Sequence, residues 1–314
     1  MKHNIKITML LILFFITAQL IGLFVTSRYI NYKVTKQTGK LTWKELPYNV
    51  ERPDVPESSS FLLLFLSIIF GTVILLFLMK LHSTYFWKIW FFIAVFSCLL
   101  IAFAAFMPKW VALVLALTLS ILKVFKPNFY VHNITELFVY AGIAAIFVPI
   151  MNVFSATMLL FIVSIYDFIA VNKIKHMIKL AKFQSKEKLF AGLFIPYSTK
   201  DSRIIKDYSL IKKSEKPSKR VRNSHHPKKS KTSEQERQAF GTAILGGGDM
   251  ALPLLFAGAV LKTHGFLNAF IVVLFATLAL TYLLFKAEEK KFYPAMPFLT
   301  TGCLLGYIVV KLLL

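Results

Sequence analysis

Three of the fifteen acidic residues, Glu136, Asp167 and Asp249, fall inside long apolar runs, and the other twelve lie in polar stretches or at their edges. An aspartate within a membrane helix costs about 2.5–3.5 kcal/mol even on the lenient insertion scale, so an acid in such a place marks a functional site by default. Glu136 stands close to the end of its run and reads as an interfacial acid that reaches water. Asp167 and Asp249 need another explanation. Two carboxyl groups in contact at a low-dielectric site cannot both ionise cheaply, so they share one proton. That state does general acid–base chemistry. The charged member takes a proton from a water as it attacks an amide carbonyl, while the protonated member donates to the carbonyl oxygen. No metal, cofactor or covalent intermediate is needed. The same two acids also suit a proton or cation relay in a transporter, and the residues around them must decide.

The elements that position such acids are membrane helices. Of the 314 residues, 57% are hydrophobic and 15% aromatic, and the mean hydropathy is +0.64. Soluble domains hold roughly 45–50% apolar residues, so a single soluble core is excluded, and so is disorder over most of the chain. A helix needs about 20 apolar residues to cross the hydrocarbon. Nine runs are candidates: 7–25, 61–79, 86–107, 110–125, 134–150, 154–172, 240–261, 266–286 and 293–313. The stretch 134–172 as one helix would be about 58 Å long, so Pro149 and Asn152 are read as the turn between two spans. The run 110–125 is short and carries Lys123. The first run follows Lys2 and Lys6, is long for a signal peptide and lacks a small-residue cleavage site, and is read as a retained span. Cys98 and Cys303 lie far apart in apolar runs with no histidine cluster near either, which implies neither a disulfide framework nor a metal site.

The predicted fold class is therefore an all-α polytopic membrane protein. It has transmembrane helices one to six within 1–172, a basic loop over 173–239, and helices seven to nine within 240–314. The formal charge of +22 has a location. With nine spans, 28 of the 37 Lys and Arg residues fall on the side of the N-terminus, nineteen of them in the long loop. Lys173, Lys175, Lys179 and Lys182 adjoin the membrane, so the positive-inside rule puts the N-terminus and this loop in the cytoplasm and the C-terminus outside. Within the loop, Ile174, Met177, Ile178 and Ala181 recur at helical spacing between lysines, which predicts an interfacial helix over 174–183. Residues 189–197 form an apolar patch too brief to span. Residues 198–238 are rich in Lys, Ser, Pro, His and Arg and read as a disordered tether attracted to anionic lipid head groups. No nucleic-acid-binding signature accompanies the charge.

Direction and depth bring the two aspartates to the same level. Span six runs outward to inward and ends near Asn172, placing Asp167 about 8 Å from the cytoplasmic end; span seven, starting near Phe240, places Asp249 about 14 Å in. Consecutive antiparallel spans let them meet. Ahead of Asp249 stand Gly246, Gly247 and Gly248, each weakening a helix by about 1 kcal/mol relative to alanine. Plain spanning does not require this. Alone, such glycines mark a close helix contact; beside an acid they also let the backbone loosen, which a peptide substrate needs.

Tyr166-Asp167, Gly246-Gly247-Gly248-Asp249 and Pro294-Ala295-Met296-Pro297, in that order on spans six, seven and nine, resemble the presenilin and signal peptide peptidase family of intramembrane aspartyl proteases. That family carries a Tyr-Asp pair, a Gly-x-Gly-Asp motif and a Pro-Ala-Leu motif. The third departs from its pattern, with Met296 in place of leucine; methionine is also apolar and flexible. The resemblance implies that Asp167 and Asp249 are the catalytic pair, that Tyr166 shapes the site and that Gly246 and Gly248 supply flexible backbone. It implies that Pro294, Ala295 and Pro297 pack near the pair and contact substrate. Independently, two prolines at the start of span nine leave backbone groups free on the side of the acids, where an extended substrate strand can pair. Ordinary prolines at a helix start are the plainer reading.

The expected function is thus an intramembrane aspartic endopeptidase acting on single-span membrane proteins or peptides, multi-pass in the cell membrane. The inferred orientation matches the presenilin-like branch, and the short tails suggest a prokaryotic homologue that works without accessory subunits. Competing readings are a proton- or cation-coupled transporter and a prepilin-peptidase-type enzyme, which shares the Gly-x-Gly-Asp signature. Transporters are often built from repeated halves, and no such repeat is present.

Overall fold

A computed structural model describes residues 5–80, 84–126, 128–170, 191–198, 240–287 and 293–314. The expected interfacial helix at 174–183 lies outside the described residues, as does the stretch 198–238 beyond its first residue. The molecule is mostly helical. In chain order the elements are α1 (Ile5–Arg28), α2 (Tyr32–Thr38), α3 (Ser60–Lys80), α4 (Thr84–Ala104), α5 (Lys109–Phe125), α6 (Phe129–Phe147) and α7 (Val153–Ile169). Then follow β1 (Gly192–Ser198), β2 (Phe240–Gly246), α8 (Gly247–His264), α9 (Phe266–Lys286) and α10 (Met296–Leu313).

Among the described residues, six helical stretches are long and apolar enough to cross a membrane: Ile5–Arg28, Ser60–Phe77, Tyr85–Ala104, Phe129–Ile150, Phe266–Lys286 and Met296–Leu313. Val153–Ile169 is a shorter apolar helix. The stretch Phe129–Ile150 is 72% buried against 11% for Ser60–Phe77, so α6 is the central helix of the bundle and α3 presents most of its surface outward. Leu62, Leu66, Phe70, Val73 and Phe77 are exposed on α3, as expected of a helix whose solvent is lipid.

The break between α6 and α7 has a local cause. Val148–Ile150 forms a short 3-10 turn with Pro149 at its start, and the Asn152 side chain then caps α7 by accepting from the Ser155 N–H at 2.8 Å. Asn128 caps α6 in the same way through the Val131 N–H. On the opposite wall, α9 and α10 pack backbone to backbone. A Cβ at Gly302 would come within 2.7 Å of the Phe275 carbonyl oxygen, and one at Gly306 within 2.9 Å of Val272 Cα.

The all-α expectation is corrected by a two-stranded antiparallel sheet. Its register runs from Gly192 opposite Gly246 to Ser198 opposite Phe240. The apolar patch at 189–197 supplies β1, and the first seven residues assigned to span seven are β2. The physical reason is a period of two on β2. On β2 Ala243 and Leu245 are buried and Ile244 between them is exposed, whereas β1 is buried at Leu193, Ile195, Pro196 and Tyr197 alike. Apolarity alone does not separate seven such residues from the start of a helix.

Candidate functional site

The end of the hairpin is the start of the α8 helix. Gly246 closes β2 and serves as the N-cap of α8 with extended backbone, and Gly247 is the first helical residue. Asp249 therefore stands in the first turn of α8, whereas the expectation from a span beginning near Phe240 put it well inside. From there its carboxylate reaches back to accept the Gly246 backbone N–H. This is the carboxylate half of a capping box, which satisfies a donor the helix leaves open and sets negative charge against the positive end of the macrodipole. Gly246 admits that return: a Cβ there would lie 3.1 Å from Asp249 Oδ2. Pro253, inside α8 and buried, has no N–H for the carbonyl four residues back, so the carbonyl of Asp249 lacks its helical partner.

Asp167 is held by a different helix. It sits near the end of α7, is buried, and its Oδ2 accepts the Met296 backbone N–H at 3.2 Å. Ala295 is the N-cap of α10 and Met296 its first residue. Both acids thus lie at helix N-termini, where backbone amides point outward and anions are stabilised. Asp167 lies near enough for its charge to act on Asp249.

Around them, Met296 is buried, and Tyr166, Pro294, Ala295 and Pro297 are partly buried. Gly248 is exposed, and nothing lies within 4 Å of where its side chain would be. Among the described residues no group of His, Cys, Asp or Glu could hold a metal ion. The free backbone groups expected at the proline motif are in part engaged, since the amide of Met296 serves Asp167.

Two further corrections concern α6. Glu136 is not interfacial but buried: Lys123 of α5 donates to its Oε1 at 2.5 Å, and the Tyr140 hydroxyl donates to its Oε2. Lys123, which made the run 110–125 look marginal, is its buried partner. Sequence reasoning also missed Asn133 and His132, which tie α6 to β1. Asn133 donates to the Phe194 carbonyl and accepts from the Phe194 N–H, both at 3.1 Å, and His132 Nε2 lies 2.9 Å from the Gly192 carbonyl oxygen. The signal was available as a cluster of polar side chains, His132, Asn133, Thr135 and Glu136, at the head of an apolar run. Gln19 of α1, fully buried, donates to the Met250 carbonyl at 2.8 Å, next to Asp249. Nothing in its own stretch of sequence announces that role.

A polytopic helical membrane protein with two interacting acids in its interior is the class defined by fold and geometry. The chain belongs to the signal-peptide peptidase and presenilin aspartyl protease family, whose sequence model matches residues 45–314. Two solved structures of a presenilin family intramembrane aspartate protease, in C222 and P2 space groups, are similar in fold. The first has a TM-score of 0.60 and 16% identity over 98% of this chain and 99% of that one. The second has a TM-score of 0.59 and 18% identity over 97% of each. No curated protein sequence matches. The protein is therefore an intramembrane aspartyl protease by family, in a multi-pass membrane setting; the transporter reading finds no support.

Proposed function

We propose that the protein is an intramembrane aspartic endopeptidase that hydrolyses peptide bonds within the transmembrane segments of single-span membrane proteins, with Asp167 and Asp249 as the catalytic pair. The observation that carries this reading is the placement of the two acids within each other's electrostatic reach, Asp167 held by the Met296 amide at the start of α10 and Asp249 in the first turn of α8. In the reaction the pair shares one proton. One carboxylate takes a proton from the attacking water, the other carboxyl donates to the carbonyl oxygen, and no metal or cofactor enters.

The surroundings suit an extended substrate. Asn133 occupies the outer edge of β1 at Phe194, and the outer edge of β2 carries no strand partner among the described residues. A peptide strand laid there runs along β2 towards Gly246, three residues before Asp249. Gly248 offers open space, and Pro294, Ala295 and Pro297 flank the other acid; these residues and Tyr166 are assigned to substrate binding and shaping of the site. The chain is proposed to cross nine times, with a cytoplasmic N-terminus and an outer C-terminus. The basic segment between β1 and β2 then lies on the cytoplasmic face near anionic lipid, and no accessory subunit takes part.

Purified protein in detergent should cleave a single-span peptide and be blocked by a hydroxyl-bearing transition-state mimic. Asp167→Asn and Asp249→Asn should each abolish cleavage with the fold intact, and the double variant should be no worse than either single, as for groups acting as a unit. Cleavage by either single variant would mean that the pair is not catalytic.

A further inference from the structure

Lys123, Glu136 and Tyr140 form a buried polar chain, with relative exposures of 1%, 2% and 3%. Lys123 Nζ donates to one oxygen of Glu136 and the Tyr140 hydroxyl to the other. Replacing a buried ion pair by apolar side chains of similar volume is often neutral or stabilising, so fold stability alone gives no reason for this one. Its far end gives one. The Tyr140 hydroxyl oxygen lies 3.2 Å from where a side chain on Gly247 would begin, and the Ala191 carbonyl oxygen lies equally close. That same carbonyl accepts the Gly247 N–H at 3.1 Å. Gly247 is the first residue of α8, and Asp249 belongs to the same turn. The Tyr140 hydroxyl also lies within the field of the Asp249 carboxylate.

We propose that Tyr140 is a positioning residue for Asp249: its hydroxyl, fixed in direction by Glu136 and through it by Lys123, sets how closely the first turn of α8 approaches α6. The geometry leaves the hydroxyl little freedom. Its hydrogen is committed to Glu136, and its oxygen faces the one backbone position in the turn where a glycine admits it. A shift of Gly247 by a few tenths of an ångström is carried along the turn to the Asp249 carboxyl and alters its approach to Asp167. Productive acid–base geometry tolerates little such error.

The inference rests on the two-aspartate reading, and the test separates them. In full-length protein, Tyr140→Phe should lower kcat for a single-span peptide about tenfold while KM stays within about twofold. The inhibition constant of a hydroxyl-bearing transition-state mimic should rise by the same factor as kcat/KM falls. A merely structural role would shrink the active fraction and leave that constant unchanged, which would overturn the proposal, as would wild-type kcat. A second comparison decides the matter even if Tyr140→Phe folds poorly. Lys123→Met with Glu136→Gln keeps an acceptor for the hydroxyl, whereas Lys123→Met with Glu136→Leu removes it. The second pair should be about tenfold slower than the first, and equal rates would overturn the proposal. Asp249→Asn, assayed alongside, tests the parent reading: if it cleaves, that reading fails, and if it is dead while both comparisons are flat, only the role of Tyr140 falls.

Discussion

At the scale of single residues, the three consecutive glycines before Asp249 divide the work. Gly246 makes room for the Asp249 carboxylate to return to its own N-cap amide, and Gly247 lets Tyr140 and the Ala191 carbonyl approach. Gly248 touches nothing and faces open space, so its freedom serves something that arrives. Gly248→Ala should therefore stabilise α8 by about 1 kcal/mol, seen as a raised thermal midpoint, and yet slow peptide cleavage. Unchanged turnover would show that substrate does not approach this face. The two aspartates stood out in the sequence as candidates, because an aspartate inside an apolar run has few bland explanations. What could not be read was which neighbour holds which oxygen. Met296 looked like a departure from a motif and contributes through its backbone N–H, which any residue carries. Glu136 was misjudged because distance along a run measures depth only for an isolated helix, and a lysine on another helix can supply what water would.

At the scale of elements, the hairpin and the proline motif do what a continuous helix could not. Each breaks a span so that a helix begins beside an acid. Pro297 lies in the first turn of α10, where it removes no helical hydrogen bond. Replacing Pro294 and Pro297 with alanine should let α10 extend backwards, draw the Met296 amide into a helical hydrogen bond and withdraw it from Asp167. The expected result is at least a tenfold loss of turnover, about 1.4 kcal/mol, with no matching loss of thermal stability. Binding of a small inhibitor that touches only the acids should suffer less than peptide cleavage. Wild-type turnover would reduce the prolines to a plain helix start. The strands escaped sequence reading for a related reason. A short, largely apolar segment abutting a glycine-rich helix start looks like one span, and its pairing with β1, with Ile244 exposed between buried Ala243 and Leu245, is what distinguishes it. Pro196 fits this arrangement. The Phe194 N–H points to Asn133, away from β2, so the position two residues on faces the same outer edge, where a missing N–H costs no ladder bond.

At the scale of the whole molecule, the proposed nine crossings put 28 of 37 basic residues on one side, which should fix the orientation. Single cysteines introduced at positions 2 and 314, in a background lacking Cys98 and Cys303, should label from opposite sides of the membrane. Labelling from one side would mean that one of the nine candidate segments does not cross. The helical plan and the family could be read from sequence because hydropathy and three short motifs are local. The contacts that complete the site are not local: the Met296 amide reaches Asp167 across 129 residues, and Gln19 reaches Met250 across 231. That separation has a consequence for biosynthesis. A chain emerging from the ribosome at about 5–20 residues per second carries α7 into the membrane long before α10 exists to supply the amide that holds Asp167. Until then the acids lack their final geometry. If Asp167 and Asp249 are the catalytic pair proposed above, a peptidase assembled in the same bilayer as the translocating helices around it is thus silent while it is being made, and becomes competent only when its closing helix docks.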